Sequence, residues 1–255
     1  MEIWIVRAWR LALLAALVVV WEVASRLHWV DPDLLPPLSS IFAMLGTLLR
    51  DAAFRSDILV TVVECLTAFV IVVPLGLISG FALGESKRLE KMFGLPLQLL
   101  MTVPKSIFLP VFILAFGIGF AEKVIFAVVL TYFIVVPTGI AAVHSVPSGL
   151  LLAARSFGAT RAQIYARIYL PAVAPIILSG VRLGLIFSVH GIIFAEMYAS
   201  SEGIGRKILD WGESFDMKRL FAGVLLILVA TVILNETMQA LEGWLRTRTR
   251  FDSKS

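Results

Sequence analysis

The side chains that could do chemistry in this sequence are few and lie far apart. Its three histidines, His28, His144 and His190, form no H-E-x-x-H pattern and have no carboxylates at metal-ligand spacing. The single cysteine, Cys65, lies in an apolar run, so we interpret it as a packing residue. The sequence has neither a G-x-S-x-G motif nor a G-x-x-x-x-G-K-S/T phosphate-binding loop. These patterns predict a chain that is not an enzyme and that binds no metal or cofactor itself.

Ionisable side chains inside apolar stretches are the remaining candidates, because a charge at membrane depth is costly to keep. They are Glu64, Lys105, Arg182, Glu196 and Glu236. Lys105 follows a proline, and a cation on an unwound segment could attract an anionic ligand. The alternatives for Lys105 are snorkelling to the membrane surface or an ion pair with Glu64 or Glu196.

The other charges of this kind each allow two interpretations. Glu196 lies near the end of its apolar run, before a turn-rich loop from Ser200 to Lys218 that is long enough to meet an external partner. It could therefore serve a gate or an external contact, or form a structural ion pair. Arg182 could contact a ligand or join two helices. We assign no function to Glu236 from the sequence.

The elements that must position these residues are long apolar runs. The chain has 255 residues, of which 59% are hydrophobic and 16% charged, more apolar surface than one soluble core of this size buries. Its mean hydropathy is +0.94. A membrane span needs roughly 20 mostly apolar residues. Six runs qualify, and we predict an all-α membrane protein of six transmembrane helices in a single domain, 1–255; the runs lie near 11–27, 57–83, 94–118, 124–143, 172–197 and 219–241.

The distribution of basic residues predicts the orientation of these spans. With the N-terminus inside, the inner segments carry twelve Lys and Arg and the outer segments eight, which the positive-inside rule favours. No acidic residue occurs between Glu122 and Glu196, so the loop around Gly158 has a strong inward bias. We predict that both termini are cytoplasmic. Because loop asymmetry explains the net charge of +4, nucleic-acid binding is not predicted.

Glycine and proline mark how the spans pack and where one breaks. Gly76, Gly80 and Gly84, at four-residue spacing, predict a ridge that lets another helix approach closely, and Gly180, Gly184 and Ser188 repeat it; the third run contains Pro96, Pro104 and Pro110. Prolines of this kind are tolerated in a membrane where the freed backbone groups line a buried or watery path. The third run is therefore predicted to be a broken, pore-lining span.

A basic segment near 148–170 separates two of the apolar runs. Gly158 can supply a left-handed helix cap, and Thr160 with Gln163 predicts a capping box that opens a second short helix. We expect that helix to stop at Leu170-Pro171, because proline disfavours helix in the residue before it. Two short helices meeting at a glycine predict a docking element that passes movement to a partner.

This segment resembles the conserved cytoplasmic "EAA" loop of bacterial ABC-importer permeases. The pattern is E-A-A, three residues, G, nine residues and I-x-L-P, and the sequence matches it at Leu152-Ala153-Ala154, Gly158, Ile168 and Leu170-Pro171. Leu152 stands where the pattern has glutamate, so an apolar contact would replace a charged one. The flanking motifs, among them Phe116-Gly-Ile-Gly119 and Ala195-Glu-Met197, are similar to the nitrate, sulfonate and taurine branch of that family.

The resemblance implies a type I ABC importer permease-like fold in the bacterial inner membrane. It implies a complex of this chain with a second permease copy or a similar subunit, a cytoplasmic ATPase dimer that binds ATP with Mg²⁺, and a periplasmic or lipid-anchored substrate-binding protein. The solute would be small and anionic, as sulfonates, taurine and nitrate are. The ATPase-coupling loop would comprise Leu152, Ala153, Ala154, Phe157, Gly158, Ala159, Ile168, Leu170 and Pro171, and the translocation-path candidates are Pro104, Lys105, Arg182 and Glu196.

Two other classes of function stay open at this point. A secondary transporter or channel would depend on an ion gradient and need no ATPase, and it would not require a capped basic loop. A membrane-embedded enzyme would need titratable residues clustered at membrane depth, whereas those in this sequence are spread over different runs. We also expect the first run to be a retained helix, although Val23-Ala-Ser25 resembles a signal-peptide cleavage site.

Overall fold

The computed structural model describes residues 2–251, and within them the chain is entirely helical apart from its turns. Three long helices form the centre of the bundle, and the others brace its sides and ends. In chain order the α-helices are α1 (Glu2–Arg26), α2 (Leu38–Leu48), α3 (Ala52–Glu85), α4 (Lys87–Thr102), α5 (Leu109–Phe116), α6 (Phe120–His144), α7 (Ser148–Ser156), α8 (Arg161–Ile164), α9 (Leu170–Ala199), α10 (Ile204–Glu213) and α11 (Met217–Phe251).

The central helices α3, α6 and α9 approach one another closely because glycines line their contacts. A Cβ atom at Gly80 would overlap the carbonyl oxygen of Val136 and lie 2.8 Å from the Cα of Gly139. A Cβ at Gly184 would lie 2.5 Å from Cγ2 of Val73. The predicted small-residue ridges are therefore confirmed, since only residues without a side chain allow backbones to meet at this distance.

The described residues contain four helices that are long and apolar enough to cross a membrane. A fifth is added if the bent pair Lys87–Thr102 and Lys105–Phe116 counts as one span. The prediction of an all-helical membrane protein is confirmed, but its count of six spans is not. The predicted span near 11–27 falls in α1, where several side chains lie outside the described residues.

The predicted break in the third run is present, but only one of its three prolines causes it. Pro96 lies inside α4 and Pro110 in the first turn of α5, where a missing N–H costs little. Between them Val103 is extended and Pro104 opens a 3₁₀ turn over Lys105–Phe108, so the axis bends by 83°. Proline restricts the residue before it to this extended region.

The predicted helix stop at Leu170-Pro171 is wrong. The segment from Arg161 to Ala199 is continuous over 39 residues, with a π-helical turn at Tyr165–Tyr169 joining α8 to α9. Leu170 donates its N–H to the carbonyl of Tyr165, five residues back. This wider turn carries the helix past Pro171, which occupies the first turn of α9 and needs no donor there.

Helices α2 and α10 brace the end of the bundle where α3 begins. Ile41 and Leu48 of α2 are buried against Phe54 and Ala222, and Trp211 of α10 packs beside them. The segment 200–218 was predicted as a turn-rich loop, but it contains the ten-residue helix α10. Ile204 and Ile208 of this helix are buried, whereas Glu213 at its end is exposed.

Candidate functional site

Between α6 and α9, the short helices α7 and α8 are joined by a turn at Gly158. We call this helix–turn–helix segment, 148–169, the knuckle, and its exposed residues Leu152 and Phe157 the tip. Gly158 has φ of +76°, and the N–H groups of Gly158 and Ala159 bond the carbonyls of Arg155 and Ala154, which is the Schellman arrangement. On the other side of the turn, Gln163 N and Thr160 Oγ1 are 3.3 Å apart, and the backbone N of Thr160 is 2.8 Å from Gln163 Oε1. Both predicted caps are confirmed.

The knuckle presents its largest apolar side chains to the outside. Phe157 is 91% exposed and Leu152 67% exposed, although both are apolar. Around them, Arg155 and Arg161 are also exposed. The two helix caps thus hold a turn in which Phe157 is uncovered.

The base of the knuckle is packed against the bundle. Leu151 and Tyr169 pack on the buried residues Ala142, Val146 and Val173. Of the remaining predicted loop residues, Ala154, Ala159, Ile168 and Pro171 are half-buried, whereas Ala153, Gly158 and Leu170 are exposed. The knuckle is therefore anchored to α6 and α9 at its base, while its tip stays exposed.

A hydrogen bond joins the π-helical turn to the end of α3. Tyr165 donates from its hydroxyl to Oε1 of Glu85, with 2.9 Å between the oxygens. Because α8 continues into α9, this bond ties the segment between α6 and α9 to α3 as well. Sequence reasoning missed this contact, since nothing in the spacing of the two residues relates them.

Lys105 lies at the sharp bend after Pro104. Its Nζ donates to the carbonyl oxygens of Met101 and Val103, at 3.2 and 3.3 Å, and lies 5.1 Å from the centroid of the Phe133 ring. The ammonium thus satisfies carbonyls that the end of α4 leaves free. A mostly apolar cavity of about 230 Å³ adjoins it. Neither Glu64 nor Glu196, the partners considered from sequence, forms an ion pair with Lys105.

Arg182 contacts a neighbouring helix, which is one of the two alternatives considered from the sequence. The Arg182 guanidinium is 3.8 Å from Oε2 of Glu242, and Oε1 of Glu242 accepts a hydrogen bond from Ser179 Oγ at 3.4 Å. This contact joins α9 to α11. Glu236 is exposed on α11.

Glu196 is fully buried and joins three helices. Its Oε1 accepts from Thr61 Oγ1 of α3 at 2.7 Å, and its Oε2 accepts from the backbone N–H of Gly205 of α10 at 2.8 Å. The backbone N–H of Ile204 donates to Thr61 Oγ1 at 3.0 Å. Side chains at Gly203 or Gly205 would collide with the Glu196 carboxylate, which explains both glycines.

A buried ion pair at the same end of the bundle was not predicted. Lys123 Nζ contacts Oε1 of Glu64, and the two side chains are 4% and 2% exposed. Lys123 also donates to Ser200 Oγ at 3.0 Å. The apolar run predicted near 124–143 begins just after Lys123. Helix α6 begins already at Phe120, so that Lys123 lies in its first turn and points into the bundle.

A bundle of membrane-length helices with a capped, exposed knuckle at one end defines a membrane-embedded protein built to work with a partner. A family model described as "Binding-protein-dependent transport system inner membrane component" matches residues 72–251. The chain belongs to this family, and it is therefore a permease of a binding-protein-dependent ABC transport system.

Individual relatives agree with this assignment. The taurine transport system permease protein TauC of Escherichia coli (strain K12) is 28% identical over 234 residues, covering 90% of this chain and 85% of that protein. The putative aliphatic sulfonates transport permease protein SsuC of Bacillus subtilis (strain 168) is 28% identical over 232 residues, covering 91% and 84%. A chain of the inward-facing MetNI methionine ABC transporter shares the fold, with a TM-score of 0.59 and 18% identity over 73% of this chain and 91% of that chain.

Proposed function

We propose that this chain forms, with a second copy or a similar subunit, the membrane path of an ATP-driven importer for a small anionic solute. The names of the two relatives, which refer to taurine and aliphatic sulfonates, support a sulfonate-like solute. The wider family supports delivery of that solute by a periplasmic or lipid-anchored binding protein. The chain would act in the bacterial inner membrane with both termini in the cytoplasm, as its basic loops favour.

The coupling loop 148–170 would bind a cytoplasmic ATPase dimer and would move when that dimer changes conformation. The ATPase dimer would bind ATP with Mg²⁺. The observation that carries this proposal is the knuckle tip, where Phe157 and Leu152 remain exposed on a doubly capped turn. An apolar tip fits a groove on the partner, with the neighbouring arginines at its rim. Leu152 replaces the glutamate of the family pattern and would extend the apolar contact. The hydrogen bond of Tyr165 to Glu85 then passes the displacement to α3.

The path for the solute would run past the bend at Pro104 and Lys105. Support comes from the 83° break, which exposes backbone carbonyls at membrane depth, and from the cation placed among them. Lys105 is half-buried, so an anion passing the bend could reach its ammonium. Arg182 and Glu196 would shape the path by joining helices, because each already contacts residues of a neighbouring helix.

Substitution of Phe157 tests the coupling proposal. We expect Phe157→Asp to reduce solute uptake and solute-stimulated ATP hydrolysis by at least tenfold in the reconstituted complex, because a carboxylate in an apolar groove is costly. The subunit itself would still insert and fold, since the side chain packs on nothing in this chain. Leu228→Asn on α11 is the control; Leu228 is apolar, 58% exposed and outside the knuckle, so this variant should retain coupling.

A second variant changes the knuckle without changing its tip. Valine at Gly158 would be strained at φ of +76°, so the two short helices would meet at a different angle. Gly158→Val should therefore uncouple ATP hydrolysis from uptake while leaving the amount of inserted subunit unchanged. Normal uptake by both variants, or uptake in cells without the ATPase, would contradict the proposal and favour a secondary transporter.

A further inference from the structure

The cavity beside Lys105 combines one charged group with an apolar wall. Its volume is about 230 Å³, and it lies between the bend after α4, the helix α5 and the helix α6. Four phenylalanines contribute to its lining, namely Phe108, Phe112, Phe126 and Phe133. A second cavity of about 420 Å³ shares Leu100 and Phe133 with the first and continues between α4, α3 and α6. Lys105 is the only charged residue among the described residues that line either cavity.

The positive charge of Lys105 has no opposite charge beside it in the described part of the chain. Its ammonium donates to two neutral carbonyl oxygens, those of Met101 and Val103, at 3.2 and 3.3 Å. An ammonium has three N–H donors, so one is left for a further acceptor. By contrast, Lys123 and Arg182 of the neighbouring helices each contact a carboxylate. Because a cation within a span is costly without an opposite charge, an anion that reaches Lys105 is favoured.

The walls of the two cavities set a second requirement on an occupant. A tail of methylene groups gains free energy when it leaves water for an apolar wall, whereas a second charged group loses its hydration there. No carboxylate lines either cavity, so an ammonium group on the occupant would have no opposite charge. The polar pair in the second cavity is already engaged, since Tyr132 donates to Ser79 Oγ at 2.9 Å and Ser79 donates to the carbonyl of Leu75 at 2.6 Å.

We propose that these cavities bind sulfonate solutes with an apolar tail and disfavour a sulfonate that also carries an ammonium group, as taurine does. The inference rests on the proposed path for an anionic solute and specifies which members of that class it accepts. The sulfonate would accept from Lys105, and the tail would lie along the phenylalanines. A phospholipid also combines an anion with apolar chains, but its headgroup stays at the membrane surface, whereas Lys105 lies inside the broken span 87–116.

Direct binding to the purified complex tests this proposal. The permease–ATPase complex, in nanodiscs of a zwitterionic phospholipid and without nucleotide or binding protein, is equilibrated with radiolabelled butanesulfonate, and unlabelled solutes are added as competitors. We expect the affinity to rise about fourfold for each methylene group from ethanesulfonate to butanesulfonate. Taurine should bind at least about tenfold more weakly than 1-propanesulfonate, which carries a methyl group in place of the ammonium.

Two variants and a control locate the site. Lys105→Gln should lower the affinity for butanesulfonate at least about tenfold, because it removes the charge and keeps a donor. Val129→Phe fills part of the first cavity and should abolish the preference for longer tails. Leu114→Phe enlarges a side chain that is 87% exposed and outside both cavities, so it should keep that preference. If Lys105→Gln does not assemble, Val129→Phe carries the test.

Several outcomes would overturn the proposal. They are the absence of saturable butanesulfonate binding, competition by taurine as strong as by 1-propanesulfonate, unchanged affinity in Lys105→Gln, and a tail preference that persists in Val129→Phe. Loss of binding in nanodiscs of phosphatidylglycerol would assign the site to an anionic lipid and overturn it too. ATP-driven uptake into proteoliposomes is measured separately. Uptake that survives these results leaves the proposed function standing, whereas the absence of ATP-driven uptake refutes the proposed function itself.

Discussion

At the scale of single residues, the charged groups of this permease act mainly by joining helices. Glu196 spans three helices, and Lys123 connects Glu64 of α3 with the α9–α10 connection. Lys105 donates hydrogen bonds to backbone carbonyl oxygens at the end of α4, where the helix breaks. The group that each of these charges contacts followed from the tertiary structure and not from their order in the sequence.

The buried pair of Lys123 and Glu64 gives a prediction about stability. Lys123→Met should destabilise the subunit by about 3–5 kcal/mol, because it leaves the Glu64 carboxylate buried without a partner. In thermal unfolding of the purified complex this corresponds to a fall in the midpoint of roughly 10 °C. The double variant with Glu64→Gln should recover part of the loss, since no charge then remains unpaired. A Lys123→Met midpoint equal to that of the wild type would contradict this account.

At the scale of elements, the same residue type has different consequences in different helices. Pro74, Pro137 and Pro175 lie inside α3, α6 and α9 without ending them, whereas Pro104 produces an 83° bend. The first three helices are packed against one another. Pro96 is nevertheless tolerated inside α4, in which no residue is buried, so packing alone does not decide which proline bends a helix. At Pro104 the chain follows its local preference, with Val103 extended.

The close contact of α3 with α6 predicts the effect of adding one methyl group. Gly80→Ala places a Cβ against the Val136 carbonyl and 2.8 Å from Gly139, so the helices must separate. We expect a loss of about 1–3 kcal/mol, measured as a lower unfolding midpoint and a smaller yield of assembled complex. Gly94→Ala in α4 is the control, since a Cβ there meets nothing within 4 Å. It should be neutral or slightly stabilising.

At the scale of the whole molecule, the two ends of the bundle differ in chemistry. One end carries the basic knuckle with its exposed apolar tip. The other carries buried carboxylates and the braces α2 and α10. This difference between the two ends suits a subunit that contacts an ATPase on one side of the membrane and a binding protein on the other.

Cysteine labelling tests the proposed orientation. In a Cys65→Ser background, Ser201→Cys should react with a membrane-impermeant maleimide in spheroplasts, and Arg155→Cys should react only after permeabilisation. Both positions are exposed, so accessibility depends on the side of the membrane alone. Cys65 itself is buried and would contribute little background. Labelling of Arg155→Cys in sealed spheroplasts would place the knuckle outside and refute the coupling proposal.

The sequence by itself determined the class of protein and the two helix caps of the segment 148–170. Apolar runs, glycine ridges and the Gly158 and Thr160–Gln163 signals are local, because hydrophobicity, backbone freedom and capping depend on residues close in the chain. Only the tertiary structure decided the π-helical passage through Pro171, the helix at Ile204–Glu213 and the pairing of Glu64 with Lys123. These depend on which helices meet and at what depth, since a buried charge is tolerated only where neighbouring helices supply its contacts.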